Sequence, residues 1–300
     1  MARIILFLSV WGGLWLIAGC HPRERDQAYT QSIEKWHKAR EERLTRRDGW
    51  LSLAGLFWLK EGQNTFGSDK ENDIVFPAKA PALIGKFILT HGKVRAVIQD
   101  KVPVFTNSTI VHTLLLKSDA DGSPTVLKCG TLSWYVIKRG DRYLIRLKDS
   151  ANPNISRFKG IARYPVDKKW RVRAFLQPYD PPKKIAIANV LGQLSEEPCP
   201  GALIFKINDK EYRLDPIAEA GSDELFLIFS DETSGRTTYG AGRFLDIKRP
   251  DSSGYTYIDF NKAYNPPCAF SDFATCPLPP RQNHLPLKIS AGEKDYDHHP

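Results

Sequence analysis

Residues 131–147 read TLSWYVIKRGDRYLIRL and carry the clearest structural pattern in this 300-residue chain. Apolar and β-branched residues recur on both sides of Arg139-Gly140-Asp141, a triplet of turn-forming character. Two such runs joined by a short glycine-containing loop are typical of a β-hairpin. The segment therefore predicts two neighbouring antiparallel strands, at 131–137 and 142–147. Arg139, Arg142 and Arg146 flank the turn, and we expect them to be solvated.

Similar runs occur along most of the chain, separated by turn-forming residues. They predict further strands at 83–89, 93–98, 110–116, 170–176, 184–190, 202–207, 211–214, 225–229 and 255–260. Many short strands at this spacing indicate a mainly β protein with a sandwich-like or barrel-like body. A composition of 42% hydrophobic and 26% charged residues is consistent with a packed core.

One segment has a helical pattern. Residues 33–47, IEKWHKAREERLTRR, contain neither Gly nor Pro and are rich in helix-forming residues. Ile33, Trp36, Arg40 and Leu44 fall on one narrow stripe of such a helix, opposite a broad charged face. This short amphipathic helix either contacts anionic lipid headgroups or packs Trp36 and Leu44 on the body.

The N-terminus has the layout of a secretory signal peptide, with Arg3, an apolar run at 4–18 and small residues before Cys20. The run is shorter than the roughly 20 residues that a membrane-spanning helix needs. Ile17-Ala18-Gly19-Cys20 resembles the lipobox of bacterial lipoproteins. The resemblance implies that residues 1–19 are removed and that Cys20 carries a palmitate-type lipid anchor. With His21 instead of Asp next, it implies the outer membrane, facing the periplasm of the cell envelope.

The remaining chain divides by composition. We expect a polar tether at 20–32, the helix at 33–47, an N-terminal β subdomain at 48–177, a C-terminal β subdomain with a Pro- and Cys-rich motif at 178–294, and a disordered tail at 295–300. The Pro-rich stretch QPYDPP at 177–182 is the expected boundary. An earlier break near Asn152-Pro153 is the alternative.

Charge and cysteine content indicate the kind of partner and compartment. A formal net charge of +9 favours an acidic or polyanionic envelope ligand, although a basic surface also maintains solubility. Nucleic acid fits this charge but not the expected compartment. In an exported protein cysteines can pair. We expect a disulfide between Cys268 and Cys276, and buried, unpaired side chains at Cys129 and Cys199.

Four segments together resemble DUF1684, an uncharacterised family of bacterial and archaeal proteins. They are RDGWLSLAGLFWLKEGQNTFGSD from Arg47, DETSGRTTYGAGRFL at 231–245, DFNKAYNPPCAFSDFATC at 259–276 and PLPPRQNHLPLKISAGE at 277–293. The resemblance covers most of residues 35–294. It implies no particular reaction, substrate or cofactor.

Residues 64–77, NTFGSDKENDIVFP, also resemble the opening of a forkhead-associated domain, a β-sandwich that binds phosphothreonine peptides. Ser68 stands where that family has Arg, and residues 80–87 contain neither the Ser nor the His of its peptide-binding loops. The resemblance therefore implies a sandwich in the N-terminal part, without phosphothreonine binding.

The densest group of polar side chains lies near the C-terminus and comprises Asp259, Asn261, Tyr264, Asn265, Cys268, Asp272, Cys276, Asn283, His284 and Glu293. Interspersed prolines disfavour regular structure there, and long irregular segments in compact domains are often functional. Three interpretations remain open. The segment is a structural clasp closed by the disulfide, or it lines a pocket for a polar or acidic ligand, or it is catalytic.

The ligand pocket would use Arg243, Asn265 and His284, joined by Arg236 and Tyr239 of the glycine-rich stretch 235–243. For that stretch, a hairpin with an arginine stacked on an aromatic ring is the alternative. Catalysis would need Cys268 or Cys276 as nucleophile and His284 as base, oriented by Asp259 or Glu293.

Taken together, the sequence predicts a non-catalytic envelope lipoprotein that binds a ligand or partner, without a cofactor. The alternatives are a periplasmic enzyme of the hydrolase type and a metal-binding protein. For the latter, Cys268, Cys276 and His284 have suitable chemistry for zinc but an unusual spacing. Signatures of serine hydrolases, zinc proteases, phosphate-binding loops and calcium loops are absent from the sequence.

Overall fold

A computed structural model describes residues 22–296. Cys20, the expected signal peptide at 1–19 and the last four residues of the expected tail lie outside the described residues. Within the described part, no helix is both long enough and apolar enough to cross a membrane.

Eleven strands form the N-terminal half: β1 (Leu53–Trp58), β2 (Gly62–Gly67), β3 (Ile74–Val75), β4 (Gly85–Thr90), β5 (Lys93–Ile98), β6 (Phe105–Thr106), β7 (Thr109–Ile110), β8 (Thr113–Leu116), β9 (Leu127–Cys129), β10 (Leu132–Arg139) and β11 (Arg142–Asp149). They build a six-stranded sheet in the order β1-β11-β10-β9-β6-β7 and a five-stranded sheet in the order β3-β2-β4-β5-β8. The two sheets enclose one core, in which Phe66, Phe76, Phe87 and Trp134 contact one another.

Seven strands form the C-terminal half: β12 (Arg171–Ala188), β13 (Leu194–Ile207), β14 (Lys210–Leu214), β15 (Glu224–Asp231), β16 (Arg243–Lys248), β17 (Tyr255–Asp259) and β18 (His284–Leu285). Their sheets have the orders β14-β13-β12-β17 and β16-β15-β18. A second core with Phe205, Leu227, Phe229 and Phe260 lies between them. The predicted mainly β architecture with a preceding helix is confirmed.

The hairpin predicted at 131–147 is present, with Arg139 opposite Arg142 across the turn. The run predicted as one strand at 110–116 is two strands instead. Ile110 pairs with Phe105 in the six-stranded sheet, whereas Thr113–Leu116 pairs with β5 in the other. The chain crosses from one layer to the other within this run, which an apolar pattern alone does not reveal.

The N-terminal helix is longer than its sequence pattern suggested. Helix α1 spans Pro22–Thr45, so most of the expected tether at 20–32 is helical and the helix ends before Arg47. Its early turns are held by tertiary contacts. Tyr29 Oη donates to Asp259 Oδ1 at 2.8 Å, and Asp26 pairs with Lys168. These distant partners stabilise a polar stretch that has no apolar periodicity of its own.

The expected boundary at 177–182 lies inside β12, which crosses it. The ladder with β13 shifts register between Pro178 and Lys183, so the prolines sit where the regular pairing is interrupted. The change from the first pair of sheets to the second comes earlier, between β11 and β12. There the short helix α2 (Pro153–Arg157) begins with Asn152 as its N-cap.

Helix α1 and the two halves meet in two smaller apolar clusters. One combines Leu53 of β1 with Ile185, Ile187 and Phe244 of the C-terminal half. The other packs Leu44 of α1 against Leu51, Ile161, Ala269 and Phe270. Because Ile33 and Leu44 are buried, the apolar stripe of α1 packs on the body.

Candidate functional site

A buried ionic network surrounds Glu293 and ties α1 to the C-terminal segment. Arg40 donates through Nε to Glu293 Oε1 at 2.6 Å and through Nη2 to Oε2 at 3.3 Å. The backbone N–H of Asn265 donates to Oε2 at 2.7 Å. Glu293 is 1% exposed, so this carboxylate exchanges its hydration for a guanidinium and a backbone donor.

Arg243, expected as a ligand contact, is fully buried. Its Nη2 donates to Asp231 Oδ2 at 2.6 Å and to the Ile289 carbonyl at 3.1 Å, and its Nη1 donates to the Ala291 carbonyl. Burial lowers the pKa of Arg243, and the Asp231 carboxylate opposes that effect. Arg243 therefore joins the C-terminal segment to β15 and β16 and is not open to a ligand.

Asn265 belongs to the same buried region. Its Nδ2 donates to the Lys294 carbonyl at 2.8 Å, while its Oδ1 is buried without a hydrogen-bond partner. The structure thus brings two of the expected ligand residues, Arg243 and Asn265, to one segment at 289–294. There they hold the chain in place.

The other three expected ligand residues lie elsewhere. His284 is exposed, with Nδ1 3.1 Å from Ser230 Oγ, and Arg236 is exposed. Tyr239 is half-buried against the apolar cluster around Leu44, and burial raises its pKa. Since Arg243 and Asn265 are buried, the five residues do not line one open pocket.

Cys268 and Cys276 are joined by a disulfide, and each backbone N–H donates to the other residue's sulfur. Neither sulfur is therefore available as a nucleophile or a zinc ligand, and both hypotheses fail for this pair. Cys129 and Cys199 are unpaired and buried, and burial raises the pKa of the Cys199 thiol to about 11. Residues 22–296 contain no cluster of three or more His, Cys, Asp or Glu side chains suited to a metal ion.

A different site lies between α1 and the two halves. Three adjoining cavities, which we call the basic cleft, share lining residues. The first is about 340 Å³ and is lined in part by Trp36, Arg43, Trp50, Asp246 and Tyr264. The second is about 360 Å³ and shares Arg43 and Trp50 with the first. The third is about 1100 Å³ and shares Asp48 and Lys148 with the second.

The inner wall of the cleft is aromatic. The Arg40 guanidinium lies 4.5 Å from the centroid of the Tyr264 ring, and Tyr264 Oη donates to Asp246 Oδ2 at 3.1 Å. Burial raises the pKa of both Tyr264 and Asp246. This wall therefore offers ring faces and one carboxyl whose charge is disfavoured.

Two cations on β11 adjoin the cleft. Arg146 and Lys148 alternate along the strand and so point to the same face of the sheet, about 6–7 Å apart. Arg146 is only 4% exposed, and its guanidinium lies 5.5 Å from the centroid of the Trp50 ring. Its Nη2 donates to Thr275 Oγ1 at 3.2 Å, and its Nε is buried without a partner.

Lys148 is half-buried and lines the cleft directly. Its Nζ donates to the Asp48 backbone carbonyl at 2.6 Å. Burial lowers the pKa of Lys148, the nearby Asp48 carboxylate opposes that effect, and the Arg146 charge lowers the pKa further. Among the described residues, neither Arg146 nor Lys148 forms an ion pair with a carboxylate. Both cations are thus partly or wholly withdrawn from water without a carboxylate in direct contact, although the Asp48 carboxylate acts on Lys148 from nearby.

The sequence alone did not indicate a site at these residues. Arg146 was expected to be solvated, whereas Thr275 of the C-terminal half covers this face of the hairpin. The sequence feature that could have indicated this site is Arg47-Asp48-Gly49-Trp50, at the start of the first segment that resembles DUF1684. Its residues line the cleft.

Comparison with known proteins finds a family model that matches the C-terminal half. Residues 156–294 match DUF1684, described as a protein of unknown function. The match contains β12 to β18, Asp231, Arg243, Asn265 and Glu293. The DUF1684 resemblance noted in the sequence is thereby supported over this region, whereas α1, Trp50 and Arg146 precede it.

No curated protein matches the chain. Among solved structures, it is similar to the solution NMR structure of an uncharacterized protein of Haloarcula marismortui. The identity is 27%, the alignment covers 48% of this chain and 80% of that chain, and the TM-score is 0.41.

Proposed function

We propose that this protein is a lipid-anchored, non-catalytic envelope protein that binds an acidic ligand in the basic cleft. The observation that carries the proposal is the pair of buried Arg146 and half-buried Lys148, neither of which forms a direct ion pair with a carboxylate of the described residues. Burying an unpaired charge is costly, so buried cations in proteins are normally paired. A carboxylate or phosphate group bound beside Lys148 supplies an anion in direct contact with the pair, which the Asp48 carboxylate does not.

The surroundings fit an acidic ligand. Arg43, Arg47 and Lys128 add positive charge along the cleft, and the Trp50 and Tyr135 side chains offer flat apolar surfaces beside it. Charges lining a low-dielectric groove raise the local concentration of ligands of opposite sign. The proposal keeps the acidic ligand class expected from the net charge but moves the site away from the C-terminal segment.

The binding test compares two double variants. One is Arg146→Met with Lys148→Met, and the matched control is Lys93→Met with Arg95→Met, which removes two exposed cations with the same spacing on β5. The probe is an oligogalacturonate, titrated calorimetrically at two salt concentrations. We expect the cleft variant to bind at least about tenfold more weakly, since hydrogen bonds to charged groups contribute about 1.5–3 kcal/mol.

The control variant is expected to keep affinity within about twofold, because exposed cations are largely screened by salt. Equal affinity in the two variants would contradict a site at Arg146 and Lys148. Absence of binding to the parent protein would contradict the proposed acidic ligand class.

The anchor is proposed from the lipobox at Ile17-Ala18-Gly19-Cys20. It is tested by growing cells that produce the protein with labelled palmitate. We expect label in the parent protein and none in Cys20→Ala, together with outer-membrane fractionation of the parent. An unlabelled parent protein would refute the anchor.

A further inference from the structure

The outer face of the sheet β14-β13-β12-β17 carries an alternating set of arginine and aromatic side chains. The Arg171 guanidinium lies 3.9 Å from the centroid of the Tyr257 ring, and that of Arg173 lies 3.7 Å from the Tyr255 ring. Phe175 continues the row, with its ring centroid 5.2 Å from that of Tyr255. We call this set the Arg–Tyr face.

The aromatic side chains of this face are open to solvent. Phe175 is 38% exposed, Tyr255 36% and Tyr257 47%. The residues between them in sequence, such as Val172, Ala174 and Ile258, point into the core. The strands therefore present an apolar inner face and an outer face in which rings and guanidinium groups are interleaved.

This combination suits the boundary between water and a lipid bilayer. Tyrosine has an apolar ring and a polar hydroxyl, and it is enriched at the level of lipid headgroups. Arginine can keep its guanidinium at phosphate groups while its aliphatic stem lies along apolar surface. An anionic leaflet complements the two arginines.

The start of α1 lies beside this face. Asp26 in the second turn pairs with Lys168 at 2.9 Å, three residues before Arg171. Tyr29 Oη donates to Asp259, which stands opposite Arg171 in the β12–β17 ladder. Pro22 is about 6 Å further along the helix axis than Asp26. The chain that carries the proposed anchor at Cys20 therefore enters the body next to the Arg–Tyr face.

We infer that the Arg–Tyr face docks on an anionic phospholipid surface and so fixes the orientation of the body on its membrane. The inference rests on the proposed anchor and is independent of ligand binding in the cleft. An anchor at Cys20 alone restricts the distance between the body and the membrane, whereas a second contact with the leaflet also restricts the rotation of the body.

The test uses the full-length protein reconstituted into vesicles of phosphatidylcholine with or without phosphatidylglycerol. Hydroxyl-radical footprinting with mass spectrometry measures the reactivity of Tyr255 and Tyr257, and Phe105, which is 40% exposed in the other half, serves as internal reference. We expect both tyrosines to react about threefold more slowly on anionic vesicles, while Phe105 is unchanged, because lipid covers the docked face.

A charge-reversal pair checks the electrostatic contribution. Arg171→Glu with Arg173→Glu is compared with Lys93→Glu and Arg95→Glu, which are exposed and equally spaced on β5. Each basic residue near an anionic leaflet strengthens association roughly fivefold, so losing two of them should weaken docking by at least about 25-fold and remove the tyrosine protection. The control should retain it.

The outcomes separate the two proposals. If the vesicles retain the protein but Tyr255 and Tyr257 react equally with and without phosphatidylglycerol, docking by the Arg–Tyr face is refuted and the anchor stands. Equal loss of protection in both variants overturns the assignment to Arg171 and Arg173. If vesicles do not retain the protein at all, the anchor and the docking face are overturned together, while binding in the cleft is unaffected.

Discussion

Replacing Arg146 by methionine should weaken ligand binding without a large loss of stability. Arg146 is 4% exposed, forms no ion pair with a carboxylate among the described residues and leaves Nε unpaired. Replacing buried ionic groups with apolar residues of similar volume is often neutral or stabilising by about 1–4 kcal/mol. The hydrogen bond to Thr275 and the contact with Trp50 are lost, which offsets about 2 kcal/mol of that gain.

The net expectation for Arg146→Met is a free energy of unfolding within about 2 kcal/mol of that of the parent protein. For a chain of this size, a change of about 2 kcal/mol corresponds to a change in Tm of about 3–4 °C. Scanning calorimetry of the parent and the variant measures this shift directly. Stability that is kept while affinity falls is the pattern expected of a residue retained for function.

Arg243→Met is the matched control because Arg243 is also buried but is paired with Asp231. Its removal leaves a buried carboxylate and two backbone carbonyls without their donor, so we expect a loss of about 3–5 kcal/mol. If Arg146→Met destabilises the protein as strongly as Arg243→Met, Arg146 is a structural residue and the proposed ligand site at Arg146 and Lys148 is refuted.

Further predictions concern the fold. Glu293→Gln should lower the free energy of unfolding by about 3–5 kcal/mol, because it leaves the buried Arg40 guanidinium without its carboxylate. Glu34→Gln, in an exposed pair, should lower it by less than about 1 kcal/mol, and urea unfolding of the two variants measures the difference. Burial lowers the pKa of His37 to about 4, so the unfolded state binds more protons between about pH 6.5 and 4. Stability should fall by up to about 3 kcal/mol as pH drops through that window, and a His37→Gln variant whose acid profile kept the same slope would refute this assignment. Gly242→Ala should lower Tm clearly more than Gly221→Ala. Both glycines have positive φ, but only at Gly242 would an added Cβ meet backbone, 2.5 Å from the Phe229 carbonyl oxygen. Equal decreases in Tm would contradict this steric explanation.

Local patterns predicted the parts of the fold that depend on local pairing. The β10–β11 hairpin is held by a short turn and by consecutive partners, so its sequence contains most of what determines it. The extension of α1 to Pro22 depends on Asp259 and Lys168, which no window of sequence around the helix contains. The same limitation made the proline-rich segment at 177–182 resemble a linker.

The candidate site was harder to predict for a related reason. Alternation along β11 shows that Arg146 and Lys148 share a face, but it does not show that another part of the protein covers that face. Conversely, Arg243 follows Gly242 in a glycine-rich stretch and resembled an anion-binding residue. Its guanidinium is instead enclosed by carbonyl groups from residues 289–291, which come nearly fifty residues later.

The contacts of α1 also set an order of events in folding. Arg40 depends on a carboxylate 253 residues later and on a carbonyl 225 residues later. Contacts this distant in sequence form late, because the intervening chain must close first. In a chain exported N-terminus first, as proposed here, the helix emerges long before Glu293 does. Helix α1 therefore gains its buried ion pair only when the residues around Glu293 have crossed the membrane. The protein cannot finish folding until translocation is nearly complete.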